Sequence, residues 1–185
     1  MNKKIYIQMI FCLGLIFLGC SKEEAGPQKL TLSDQDIQAS VSAKGTGASQ
    51  VDGVGFLAEA SECDAASLGA AYALKLTGDL EGCFYIFIDE FECSPSGTYR
   101  EVGRDYFVGT YKGESGSFWT TYKFESKYEG CNPDGTPAGL EIFGRCQHPI
   151  TNGTGEGVFA GVTGRLDFID DIAAGDFPYR GHFRY

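Results

Sequence analysis

The chain has 185 residues and carries 15 Lys and Arg against 25 Asp and Glu, for a formal net charge of −10. That length fits one domain with a substantial core, and so acidic a balance speaks against nucleic acid or an anionic membrane patch as a partner. Aromatic residues make up 14% of the chain and it has 26 glycines, a pairing that favours strands and tight turns over helices.

The N-terminus has its own pattern. Lys3 and Lys4 precede an apolar run from Ile5 to Leu18, too short to span a bilayer and of the length of a signal-peptide core. Phe17-Leu18-Gly19-Cys20 resembles a lipobox, the site at which bacterial lipoproteins are cut and acylated. The resemblance implies that residues 1–19 are a signal peptide and that Cys20 is the lipidated first residue of an exported protein. Such a protein sits in the bacterial cell envelope, held to the bilayer by acyl chains worth roughly 0.8 kcal/mol per buried CH₂. Ser21-Lys22-Glu23-Glu24 is similar to a surface-export tag and equally fits a solvated linker, so an outer-membrane and surface-exposed placement is the expectation. Residues 20–50, rich in Ser, Ala, Gly, Gln and Asp, read as a tether. The stretch 51–69 is transitional, and Phe56–Ala60 fits a helical turn or a short strand.

From Ala70 the pattern turns to period two. Tyr72, Leu74 and Leu76 share a face; Phe84, Ile86 and Ile88 share another, with Tyr85, Phe87 and Phe91 opposite, which predicts a strand covered on both sides. Phe118, Thr120, Tyr122, Phe124 and Tyr128 alternate with Thr121, Lys123, Glu125, Lys127 and Glu129. Near the end Phe177, Tyr179, Phe183 and Tyr185 oppose Arg180, His182 and Arg184, an outward basic stripe suited to pairing with acids on neighbouring strands. Turn residues separate eight strands at 70–78, 82–92, 97–102, 105–112, 116–129, 139–148, 162–170 and 177–184. The expected fold is all-β: one antiparallel eight-stranded barrel over 51–185, because closure removes exposed edges.

Five cysteines follow the tether: Cys63, Cys83, Cys93, Cys131 and Cys146. In an oxidising compartment all five are disulfide candidates, and their odd number leaves one without a partner in the chain. Cys83 and Cys93 bracket one strand, about 33 Å apart at 3.3 Å per residue, so they take different partners. A hairpin turn at Gly103-Arg104 pairs Cys83 with Cys131 and Cys63 with Cys93; a bulge there pairs Cys93 with Cys131 and Cys83 with Cys146. With no C-x-x-C and only His148 and His182 as imidazoles, neither a metal nor a cofactor is expected.

The most distinctive stretch is Gly153-Thr154-Gly155-Glu156-Gly157-Val158-Phe159-Ala160-Gly161-Val162-Thr163-Gly164. The glycines permit positive φ and close backbone approach, so that Phe159 can turn inward and plug one barrel end. A dinucleotide fingerprint needs a buried parallel strand before it and a helix after it, and neither is predicted here. Running into Arg165-Leu166-Asp167-Phe168, this segment resembles that of the allene oxide cyclase-like barrels, which include dirigent proteins. The resemblance, covering about Ala70 to Tyr185, implies an eight-stranded barrel with an apolar or mixed interior, in a family whose members form dimers or trimers. It does not fix an activity.

Cys146 and His148, two apart, share a face with Ile142 if that residue points inward. They form either a nucleophile and its base or a disulfide cysteine beside a hydrogen-bonded His, the second being favoured in this compartment. His148 is the candidate catalytic acid or base. Glu90, Glu92 and Glu101 are candidate interior carboxylates, whereas Asp167, Asp170 and Asp171 suit strand ends facing solvent. The candidate ligand-binding residues are Phe84, Ile86, Phe118, Tyr122, Phe124, Tyr128, Tyr179 and Phe183. The expected function is binding of a small apolar or aromatic ligand without catalysis. The alternatives are a cofactor-independent isomerase or cyclase acting inside the barrel, and a structural or interaction protein of the cell surface.

Overall fold

A computed structural model of the chain describes residues 47–185. The expected signal peptide over 1–19, the expected lipidation site Cys20 and nearly all of the expected tether over 20–50 lie outside the described residues. The elements in order are β1 (Ser49–Leu57), α1 (Ala65–Leu68), β2 (Tyr72–Gly78), β3 (Leu80–Cys93), β4 (Thr98–Tyr111), β5 (Glu114–Cys131), β6 (Pro137–Pro149), β7 (Glu156–Gly157), β8 (Thr163–Ile169) and β9 (Phe177–Arg184). Every pairing is antiparallel. The order β4-β3-β2-β1-β9-β8-β6-β5 closes on itself through β4–β5, giving the expected eight-stranded barrel, and β7 adds a short rung to β5 at Gly116 and Ser117.

The strand count is as expected, but its membership differs. β1 lies where a tether end and a transitional stretch were predicted; it inserts between β2 and β9 and closes the wall. The two strands expected at 97–102 and 105–112 are one. β4 runs through Gly103 without a turn, sending Tyr99, Glu101, Gly103, Asp105, Phe107 and Tyr111 inward. Neither a hairpin nor a bulge occupies Gly103; the bulge is on the facing strand, between Ile88 and Glu90. Gly103 is small for another reason: a Cβ there would collide with the Tyr122 ring.

One end of the lumen is solid. Phe107, Phe118, Phe159 and Phe183 are fully buried together with Leu76, Leu80 and Leu166. Phe159 meets Phe107, Phe118 and Phe183 edge to face at centroid distances of 5.7, 4.9 and 5.7 Å, the arrangement that ring quadrupoles prefer. The glycine-rich loop makes this plug, as its sequence predicts. Gly157 turns at φ +60°, and Gly155 packs so closely on the Phe159 carbonyl that no side chain fits.

The outer face of β2 and β3 is covered too, as the sequence of β3 requires. Tyr85 and Ala73 are buried beneath the β1–β2 connection, with Cys63, Ala58, Ala65 and Ala70 packed around them. The Cys63–Cys83 disulfide staples this flap to the wall, and Cys93–Cys131 joins the ends of β3 and β5 across β4, each with Cα atoms 5.7 Å apart. Separations of 20 and 38 residues correspond to about 3–4 kcal/mol each in the chain-entropy account. Cys93–Cys131 agrees with the unbroken course of β4. Cys146 is not in a disulfide: it points into the lumen, buried and free, out of reach of Cys83, which faces outward toward the flap.

Candidate functional site

Above the plug the lumen holds a cavity of about 70 Å³. It is continuous with a wider mouth of about 290 Å³, the two sharing Tyr72, Glu101, Phe124, Asp170 and Phe177 as lining residues. One side is apolar, from Leu74 on β2, Phe84 and Ile86 on β3, Phe168 on β8 and Phe177 on β9. The other is polar, and alternation on three adjacent strands puts it there: Glu101 and Asp105 on β4, Tyr122 on β5, Cys146 and His148 on β6.

Two hydrogen-bonded sets organise the polar side. Asp105 is fully buried, and its Oδ2 accepts from the Thr120 hydroxyl at 2.7 Å and lies 2.7 Å from His148 Nδ1. A carboxylate acceptor assigns the proton to Nδ1 and leaves Nε2 of a neutral His148 as an acceptor. Asp105 Oδ1 has no partner. One turn of the pleat nearer the mouth, both oxygens of Glu101 are occupied: Tyr99 and Tyr122 each donate a hydroxyl to it at 2.6 Å. Tyr122 then stacks on the His148 ring at 5.6 Å, and Phe84 and Phe168 close on the same imidazole at 5.4 and 4.9 Å. Burial, followed by the hydrogen bond to Glu101, drives the Tyr122 and Tyr99 hydroxyls far above the usual phenol range, so both stay protonated donors.

At the mouth, burial and then the charge of Glu141 raise Asp170 to about 7. Both carboxyls lie over Gly144, where a Cβ would strike each of them. β6 is bulged here: Glu141 pairs with Tyr128 and Phe143 with Lys127, which leaves Ile142 as the extra residue. Ile142 is therefore exposed rather than inward, and the bulge resets the phase that sends Gly144, Cys146 and His148 into the lumen.

Of the candidate ligand-binding residues, Phe84, Ile86, Tyr122 and Phe124 line the cavity, as does His148, and Tyr128 lines the mouth. Phe118, Tyr179 and Phe183 point inward but lie lower, in the solid core, and do not line the cavity. Glu90 and Glu92 face solvent; Glu101 is the interior member of that trio. Asp167 pairs with Arg165 at 2.8 Å, and Arg180 stands opposite Asp52 and Asp167 on its two neighbouring strands. Among the described residues no group of acids, His and Cys is arranged to hold a metal ion. Cys146 is no activated nucleophile, because burial first, and then the charges of Asp105, Asp170 and Glu101, push its thiol well above the ordinary range.

Asp105 is the residue that sequence reading missed. The signal for it was present: continuing the period of Tyr99 and Glu101 through Gly103 reaches Asp105 and Phe107.

No family model matches the chain, and no curated protein or solved structure matches it either.

Proposed function

We propose that this protein is a lipid-anchored envelope protein whose barrel binds a small molecule with a flat apolar or aromatic body. The observation that carries the binding reading is the one-ended lumen: a floor of packed rings, an apolar wall facing an organised polar wall, and one mouth. A barrel interior serving stability alone is filled by side chains along its length. Pockets that take small molecules combine apolar walls with a few placed polar groups. The anchoring reading rests on Lys3, Lys4, the Ile5–Leu18 run and Gly19-Cys20, and the two disulfides suit an exported chain. β1 enters the barrel at the plugged end, where Ser49 pairs with Phe183, and Leu57 reaches the mouth. A tether ending at Ser49 therefore leaves the mouth on the opposite side from its attachment. The antiparallel barrel and the Gly153–Gly164 loop support the kinship with allene oxide cyclase-like barrels, which carries no activity with it.

The test is methyl NMR of the full chain in detergent, with toluene, phenol and 2-phenylethylamine added in turn. At least one probe is expected to shift the Leu74 and Ile86 methyls, and an Ile86→Trp variant that fills the lumen is expected to abolish the shift. No response to any of the three would overturn the reading.

The Thr120–Asp105–His148 chain favours a second reading, an isomerase or cyclase in which His148 moves a proton on a substrate held in one conformation. It is distinguished by recovering the ligand: chemically altered from the wild type and unaltered from His148→Gln.

A further inference from the structure

The polar groups of the lumen are unbalanced in one direction. Most of its hydroxyl donors are spent inside the protein, since Tyr99 and Tyr122 both bond Glu101 and Thr120 bonds Asp105; the exception is Tyr72, which lines both the cavity and its mouth and whose hydroxyl accepts as well as donates. What remains for a ligand is a surplus of acceptors. Asp105 has 0% exposure, and its Oδ1 takes no partner. In its neutral form His148, giving Nδ1–H to Asp105, adds Nε2 as a further acceptor. At the mouth Glu141 and Asp170 bring two more carboxyls together over Gly144. No Lys or Arg lines either the cavity or its mouth. A barrel that bound a carboxylate, a phosphate or an enolate would need donors or cations in these places, and it has carboxylates there instead.

We infer that the lumen takes a small amine in its ammonium form, its N–H groups directed to Asp105 and His148 and its apolar body lying against Phe84, Phe168 and Phe124. An ammonium brings three donors and no acceptor, the complement of what the polar wall offers. Taking it out of water is costly, and a buried carboxylate with a vacant oxygen offsets that cost where a neutral wall does not. The aromatic lining adds to this, because ring faces attract cations most strongly once water is excluded. The inference rests on the reading of the lumen as a binding site and names the chemical class that site selects.

The experiment compares three probes of one size on the full chain in detergent, by titration of the Leu74 and Ile86 methyl shifts: 2-phenylethylamine, 2-phenylethanol and phenylacetate. The amine is expected to bind at least about tenfold more tightly than the alcohol, with phenylacetate weakest. Asp105→Asn is expected to close the gap between the two probes, bringing the amine down to the level of the alcohol. Glu101→Gln, which keeps the shape of its site, is expected to lower amine affinity several-fold and serves if Asp105→Asn does not fold. An alcohol or an acid that binds as well as the amine overturns the amine assignment and leaves the binding reading standing. Failure of all three probes overturns both.

Discussion

Side chains inside this barrel take one of two roles, and height along the axis decides which. Tyr179 illustrates the lower role. It is 1% exposed; its hydroxyl accepts from Leu80 N–H at 3.0 Å and donates to the Thr77 carbonyl at 3.1 Å, tying β9 to the turn between β2 and β3. Burial raises it to about 12, so it remains a donor at any ordinary pH. Tyr179→Phe keeps the ring and strands a buried N–H and a carbonyl, a loss of about 1–3 kcal/mol. Urea denaturation is the check: the midpoint should fall with the slope unchanged, and a variant within about 0.5 kcal/mol of wild type would show that the hydroxyl ties nothing. Asp105 and Glu101, higher up, take the other role. Their bonds orient His148 and Tyr122 around a space rather than across a contact.

At the scale of elements, the plug loop sets where that space ends. Phe159 sits at the meeting point of β4, β5 and β9 and is fully buried against Phe107, Tyr111, Phe118 and Phe183. Phe159→Ala is expected to cost about 3–5 kcal/mol, because the surrounding rings belong to hydrogen-bonded strands and cannot collapse onto the void. Calorimetry would show it as a large drop in melting temperature, and a drop of only a degree or two would mean that the floor repacks. This loop was legible in the sequence because its glycines and its one aromatic say the same thing. β5 was legible because one dry face and one wet face leave a strict alternation over Phe118–Tyr128. β1 was not, since Gly53 and Gly55 dilute its apolar pattern and it gains its strand form from pairing on both sides. β4 was cut in two by placing a turn or a bulge at Gly103-Arg104, and Asp105 was lost with the cut. The candidate site was half legible for a related reason. Period two says which face a side chain takes, and so found His148, Tyr122 and Phe84. It does not say how far along the axis the residue lies, and so Phe118, Tyr179 and Phe183 were assigned to a cavity they lie beneath.

For the whole molecule, closure concentrates acid where the strands converge. The chain carries a net −10, yet its surface acids are eased by partners: Arg145 and then Arg100 hold Glu125 below its usual range, and the Thr136 hydroxyl and amide do the same for Asp134. These two add stability above the ordinary carboxylate range and lose it as pH falls through their lowered values. Asp170 works the other way. Its native carboxyl titrates at about 7, while an unfolded Asp titrates near 3.9. Between those values the native state keeps a proton that the unfolded chain has released. The contribution of Asp170 is therefore complete below about pH 4 and is lost as pH rises through 7. Glu141, whose charge faces Asp170 at the mouth, is after burial the chief cause of that raised value, and Tyr128 beside it brings no positive charge to relieve it. The barrel should accordingly be more stable at pH 4.5 than at pH 8, an acidic optimum set by its mouth rather than by its surface. Urea midpoints at the two pH values would show it, and Asp170→Asn should shrink the difference by holding the neutral form at both. An equal difference in the variant and the wild type would move the origin of the slope away from the mouth.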